Sequence, residues 1–190
     1  VEPLDQEQIT DALHRGDRDV FAQLVREHQR SVFFLSMRLS HGDEQFSRDM
    51  VQKSFLKAWS HRDGFRGEAS FKTWLLRIAR NLCLNELSRA WRHREVLPEP
   101  TEGGSPAPLG KVEADAFQLL DLEQKRVLLQ EAVATLSERQ RAVTILRLYH
   151  DLSFAEVAEI CGITANNAKV NFHHAVRNIR KFLATEGAAA

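Results

Sequence analysis

The chain has 190 residues, 43% of them hydrophobic and 27% charged, the make-up of a soluble globular protein of one domain or two small ones. Lys and Arg total 26 and Asp and Glu total 26, so net charge points to no nucleic-acid, membrane or acidic partner, and only the distribution of charge along the chain can do so. No apolar run approaches a membrane span and no signal-peptide pattern is visible, which gives the expectation of a cytosolic protein.

The pattern is helical from the start. A short helix is predicted over about Asp5 to Arg15. Asp17 then caps a long helix carrying Phe21, Leu24, Val25, His28, Val32, Leu35 and Leu39 on one side, with Gly42 as its stop. A third helix, about Glu44 to His61, sets Phe46, Met50, Val51, Phe55 and Trp59 in register. The loop "RDGFRGEAS" follows. Ser70 caps a fourth helix with the apolar set Phe71, Trp74, Leu75, Ile78 and Leu82, and Trp74 belongs by its register to the core. Cys83 and Cys161 lie in "NLCLNEL" and "AEICGIT". With no CxxC and scattered histidines, buried reduced thiols are expected, and neither a zinc site nor any cofactor.

The rhythm breaks at "LPEPTEGGSPAPLGK", Leu97 to Lys111, which holds four of the five prolines and three glycines. A segment of this composition has little to bury and reads as a linker. Acids lie in or beside it, Glu95, Glu99, Glu102, Glu113 and Asp115, and Lys111 is the only base from Glu95 to Asp115. Helices resume over Leu119 to Leu136 and again after the cap Ser137. Ser153 to Cys161 then gives a short helix, Gly162 a left-handed stop, Ile163 a plug for the turn and Thr164 the cap of a last helix. This is helix-turn-helix spacing. No strand alternation occurs, so the expected architecture is all-α, in two small domains free of one another on a flexible tether.

The last helix carries Lys169, Arg177, Arg180 and Lys181 between Thr164 and Leu183, with no Asp or Glu. At about 100° per residue, Ala168, Phe172, Ala175, Val176 and Ile179 fall on one side, and Asn166, Val170, His173, His174 and Arg177 on the other. The outward face has donors, imidazoles and an apolar centre without a carboxylate to repel phosphate, as a helix reading a major groove requires. The helix dipole explains bases in the last turn. It explains neither Asn166 and Asn167 nor Val170.

Two stretches together resemble a known family. "MVQKSFLKAWSHRDGFRGEASFKTWLLRIARNLCLNEL" is similar to the core domain of bacterial extracytoplasmic-function (ECF, sigma-70 group IV) RNA polymerase sigma factors, and "LSERQRAVTILRLYHDLSFAEVAEICGITANNAKVNFHHAVRNIRKFL" to their C-terminal domain. The resemblance implies a sigma2-like four-helix domain over 1–95, an acidic Pro/Gly-rich linker over 96–117 and a sigma4-like helix-turn-helix domain over 118–190. It implies a transcription initiation factor, not an enzyme. Its expected partners are core RNA polymerase, through the β′ clamp helices and the β flap, and promoter DNA, single-stranded and duplex. A membrane-bound anti-sigma factor is a further expected partner.

The same resemblance implies the site residues. "DMVQKSFLKAW" matches the clamp-binding helix, with Asp49, Gln52, Lys53 and Leu56 as contacts. Lys53 departs from the usual Glu. "RDGFRGEAS" matches the loop that captures a flipped base of the −10 element, offered here by Phe65, Arg66, Glu68, Ala69 and Ser70, because a single strand needs stacking surfaces, hydrogen-bonding groups and bases along its backbone. Asn81 matches a contact to the unpaired strand, and Arg77, Arg80, Arg89, Arg92 and Arg94 form a basic flank. The −35 readers carried over are Asn166, Asn167, Lys169, Val170, Asn171, His173, His174 and Arg177. Here the usual "VKSRLHRA" stands as "AKVNFHHA", so an uncommon −35 sequence is expected. Rival classes are a two-domain helix-turn-helix regulator acting on duplex DNA without polymerase and a helical adaptor. A strand-capturing loop argues against the first and the acid-free helix against the second. Limited proteolysis of the free chain is expected to cut first between Leu97 and Lys111. A segment there as resistant as the helices would contradict the linker.

Overall fold

The computed structural model describes residues 4–94 and 122–186, without the side chains of residues 90–94, 122, 123, 126 and 186. The predicted linker, 96–117, and the side chains of Arg92 and Arg94 lie outside the described residues. Those described form eight α-helices and one turn of 3₁₀-helix, with no strand among them.

Helix α1 (Gln6–Arg15) starts in a capping box. The Asp5 carboxylate accepts from the Gln8 N–H, and the Gln8 side chain accepts in return from the Asp5 N–H. Asp17 caps α2 (Arg18–Leu39) and Asp43 caps α3 (Glu44–Ser60). The Ser70 hydroxyl accepts from the Thr73 N–H at the head of α4 (Phe71–Arg94). The predicted stop of α2 differs in detail. The helix ends at Leu39, because His41 and Gly42 turn to φ of 58° and 95° and the Gly42 N–H returns to the Met37 carbonyl at 2.8 Å. Leu24, Val32 and Leu35 from α2, Met50, Phe55 and Ala58 from α3, and Phe71, Trp74 and Leu75 from α4 make the core of this half. Each large side chain so buried stabilises by roughly 1.5–3 kcal/mol.

The second half comprises α5 (Leu122–Ala134), α6 (Glu138–Tyr149), α7 (Phe154–Cys161) and α8 (Ala165–Glu186). Ser137 caps α6. Ser153 and Glu156 form a capping box at the head of α7, and Gly162 ends that helix in the left-handed region at φ 66°. The Ile163 N–H bonds the Ala158 carbonyl at 3.0 Å, and the Thr164 hydroxyl accepts from the Asn167 N–H at 3.2 Å. Phe154 and Phe172 meet edge-on at 5.7 Å and set the crossing of α7 and α8. Each turn signal of the predicted helix-turn-helix is therefore used as its chemistry dictates.

The halves expected to be independent are in contact, α4 against α7 and α2 against α6. One buried apolar cluster runs from Leu13 and Phe71 through Leu75 to Val157 and Ile160. Polar bonds line the seam. The Lys72 ammonium donates to the His150 carbonyl at 3.1 Å, the Thr73 hydroxyl to the Glu156 carboxylate at 3.4 Å, and Arg77 pairs with Glu159 at 3.7 Å. On the other side Arg38 lies 3.8 Å over the Tyr149 ring and donates to its hydroxyl, and Arg141 donates to Nε2 of His41.

Burial and neighbouring cations disfavour the charged form of three histidines, His150 at this seam most of all. His150 is 7% exposed, its Nε2 has no hydrogen-bond partner, and burial with the nearby Lys72 ammonium brings its pKa down to about 4. Burial and Arg141 lower that of His41, and burial most of all lowers that of His28. The unfolded chain titrates His150 near 6.5, so it takes up a proton that the folded chain refuses as pH falls from about 6.5 toward 4. Stability is full above that window and is lost within it. Urea unfolding is expected to show a folded state weaker by about 1–3 kcal/mol at pH 5 than at pH 7.5. His150→Gln should flatten the slope, and an unchanged slope would clear His150 of the effect.

Candidate nucleic-acid interface

The loop between α3 and α4 is built by anchoring two of its residues and leaving others out. A 3₁₀ turn (Arg62–Gly64) leads in, and the Arg62 guanidinium lies over Trp59 while donating to its carbonyl at 3.1 Å. Phe65 then turns inward. It is 2% exposed, with ring centroids 5.8 Å from Phe71 and 5.2 Å from Trp74. This corrects the expectation that Phe65 offers a stacking surface to a base. Its ring is already packed, because the loop needs an apolar anchor to stay on the core.

Helix α1 clamps the same loop from above. His14 Nε2 bonds the Phe65 carbonyl at 3.0 Å, and the Gln6 side-chain amide donates to the Gly67 and Ala69 carbonyls. Gly67 has φ 70°, and a Cβ there would lie 2.8 Å from the Thr10 hydroxyl, so only glycine passes under α1. With the backbone fixed in this way, Arg66, Glu68 and Ser70 are exposed and Ala69 is half-buried. The Ser70 hydroxyl is occupied by the start of α4. Gln6, Thr10 and His14 were not singled out in the sequence, and no local pattern marks them. Their role depends on a contact some fifty to sixty residues away along the chain.

A cavity of about 270 Å³ opens beside the loop, lined among others by Arg66, Ala69, Trp74, Arg77 and Glu159. Arg77 and Arg80 are half-buried on α4, and Asn81 is exposed beside them, accepting from Arg80 at 3.3 Å. Arg89 is exposed further along the helix. The structure thus brings Arg66, Ala69 and Arg77 around one opening, with Arg80 and Asn81 continuing along α4.

On α3, Asp49, Gln52, Lys53 and Leu56 are all exposed, Leu56 to 61%. Lys53 is paired with Glu86 of α4 at 2.9 Å, and this bond holds the Glu86 carboxyl below the usual carboxylate range. The departure at Lys53 therefore has a local partner.

The projected faces of α8 are those observed. Ala168, Ala175 and Ile179 are buried and Phe172 and Val176 half-buried, while Asn166, Asn167, Lys169, Val170, His173, His174 and Arg177 are exposed. Asn171 is half-buried, and its amide donates back to the Asn167 carbonyl at 2.8 Å, so one of its donors is engaged within the helix. Arg177 donates to Nδ1 of His174 at 3.0 Å. The exposed face can donate to acceptors through Asn, Lys and Arg and present Val170 to an apolar group, which suits a groove edged with phosphates. Cys83 is buried, its thiol pushed up to about 11, and Cys161 is half-buried. Both are free thiols.

Two family descriptions match the chain in order: Sigma-70 region 2 over residues 24–93 and Sigma-70 region 4 over residues 126–179. The ECF RNA polymerase sigma factor SigL of Mycobacterium tuberculosis (strain H37Rv) is 33% identical over 158 residues, covering 83% of this chain and 85% of its own. The ECF RNA polymerase sigma-E factor of Haemophilus influenzae is 32% identical over 165 residues, covering 84% and 85%. Among solved structures, CnrH in complex with the cytosolic domain of CnrY superposes with a TM-score of 0.66 at 22% identity, over 93% of this chain and 96% of that one. The sigma factor RpoE of Bartonella quintana, in complex with the anti-sigma factor NepR, gives 0.63 at 23% identity, over 86% and 96%. These two likenesses speak for the fold. With both regions matched in order and relatives aligned over most of their length, the chain belongs to the ECF RNA polymerase sigma factors.

Proposed function

We propose that this chain is an alternative sigma factor that binds core RNA polymerase, opens and reads the −10 element with its first half, and reads the −35 element with its second. The observation that carries this reading is the pairing of a clamped loop with exposed Arg66 in the first half and an acid-free exposed helix face in the second. A regulator confined to duplex DNA needs only the latter. The division of labour is 1–95 for polymerase and the −10 element, 96–117 for the linker and 118–190 for the −35 element. Asp49, Gln52, Lys53 and Leu56 meet the β′ clamp helices, and the second half sits on the β flap. Leu56 supplies the apolar contact of that patch, since its burial by a partner recovers what its exposure forgoes.

At the −10 element, Arg66 and Ala69 border the opening that takes an extruded base. Arg77 and Arg80 neutralise phosphates, and Asn81 bonds the unpaired strand. Glu68 and Ser70 are the polar rim of the loop. Phe65 acts only by holding that loop to the core. At the −35 element, Asn166, Asn167, Lys169, Val170, Asn171, His173, His174 and Arg177 form the reading surface. The regulator in this scheme is an anti-sigma factor anchored in the membrane. The similar solved structure of a sigma factor with its anti-sigma factor NepR supports a regulator of that class.

Reconstitution with core polymerase and promoter fork DNA tests the proposal. The chain should direct promoter-specific transcripts, and a duplex-only regulator would not. Within that assay Arg66→Ala or Asn81→Ala should leave polymerase binding intact and reduce permanganate-detected melting at the −10 element. An equal loss of polymerase binding would reassign these residues.

The second half makes its own prediction. Arg177→Ala should cost roughly 1–3 kcal/mol and relax preference at one base pair if the guanidinium is bidentate to a guanine. If it holds only a phosphate, binding should weaken uniformly and the salt slope should fall by about one unit. Val170→Glu should abolish −35 binding by setting a carboxylate among phosphates. Wild-type binding by both variants, with helix content intact by circular dichroism, would remove this face from the recognition surface.

A further inference from the structure

The residues proposed to meet single-stranded DNA are not all open to it. Arg77 pairs with Glu159 at 3.7 Å, and Glu159 itself forms one wall of the cavity beside Arg66 and Ala69. Thr73, one turn before Arg77 on α4, donates to Glu156, one turn before Glu159 on α7. Lys72 is bonded to the His150 carbonyl. Further along α4, Arg80 lies close enough to the Cys161 thiol to offset part of the upward push that burial gives it. A row of donors and cations on α4 therefore faces the carboxylates of α7 and the His150 carbonyl at the end of α6.

A carboxylate and a phosphate make the same demand on a guanidinium, so the two compete for it. The placement of acids in the second half follows this division. Helix α8 has none from its start to Leu183, while α7 carries Glu156 and Glu159 on the side turned to α4. Glu156 is already tied by the capping box, and its hydrogen bonds to Ser153 above all hold its carboxyl below the usual range. It therefore stays ionised and fixed in place. Glu159 is exposed, and its carboxylate, which caps no helix among the described contacts, reaches across the seam.

We propose that Glu156 and Glu159 of α7 act as an internal stand-in for the nucleic-acid strand, closing the −10 pocket of the free chain until DNA displaces them. The inference rests on the reading of the α3–α4 loop and α4 as the strand-binding site, and deepens it by naming what regulates that site. In the closed form the helix-turn-helix half sits on the strand-binding half. The free chain then binds single strands weakly, and strand entry requires the halves to part. Linkage runs both ways, so whatever parts them strengthens strand binding by the same factor.

The test is fluorescence anisotropy of the full chain with a fluorescein-labelled, random-sequence single-stranded 20-mer. Four proteins are compared: the unmodified chain, Glu159→Lys, the E156Q/E159Q pair that keeps the capping box, and T135K/T185K. The last adds the same charge as Glu159→Lys at two exposed positions, one just after α5 and one on α8, away from the seam. Glu159→Lys should bind about fivefold tighter or more, within the range usual for coupled sites. E156Q/E159Q should move in the same direction, T135K/T185K should gain clearly less, and adding Arg66→Ala to Glu159→Lys should remove the gain. Equal gains in Glu159→Lys and T135K/T185K, or no gain in Glu159→Lys while the unmodified chain binds, would overturn the closure and leave the strand-binding reading standing. No binding by any of the four would sink the strand-binding reading itself, and the closure with it.

Discussion

Helix α4 has to satisfy three neighbours at once, and the rest of the molecule is arranged around that demand. One side gives Phe71, Trp74 and Leu75 to the core of the first half. A second side carries Thr73 and Arg77 to α7 and Lys72 to the His150 carbonyl at the end of α6. Its exposed remainder, with Asn81 and Arg89, faces solvent. A helix with apolar residues on one stripe buries that stripe and leaves the others solvated. Here the second stripe is neither simply buried nor simply solvated. It is polar, basic and covered by acceptors, the state of a binding surface with its place taken.

Closure of this kind costs little to reverse. The Arg77–Glu159 pair is half-exposed on both sides, and exposed ion pairs contribute about 0–1 kcal/mol. The Thr73–Glu156 bond is long at 3.4 Å. What holds the halves together is mostly the apolar continuity from Phe71 and Leu75 to Val157 and Ile160. The carboxylates then decide which site is covered rather than whether the halves adhere. The loop of Phe65 to Ser70 does not depend on the seam, because α1 and the core hold it through Gln6, His14 and Phe65. Opening the seam would expose a site already formed.

Much of this was legible in the sequence, and the boundary of what was legible is physical. Local rules sufficed for Asp17, Ser137, Ser153, Gly162 and Thr164, whose side chains or φ angles act on their own neighbours. Helical periodicity sufficed for Trp74 in the core and for both faces of α8. Phe65 is not legible in this way, because an aromatic in a polar loop has two uses, as an anchor and as a stacking surface, and only its packing against Phe71 and Trp74 distinguishes them. The roles of Gln6 and His14, and the whole seam between α4 and α7, rest on contacts across fifty or more residues between side chains that are individually ordinary polar residues. No periodicity encodes such a pairing. Lys53 shows the converse: the departure from the family pattern was visible at once, and its partner Glu86 was not.

On the proposed closure, the face of α4 that takes the opened strand is the face that α7 covers in the free chain. Spin labels at Gln29→Cys on α2 and Thr185→Cys on α8, both exposed, with Cys161 replaced by Ser and the buried Cys83 left in place, would report the distance between the halves. The free chain should give one short, narrow distance distribution. Addition of core polymerase and promoter fork DNA should replace it with a longer one. The same short distribution in the free chain and in the transcribing complex would contradict the account.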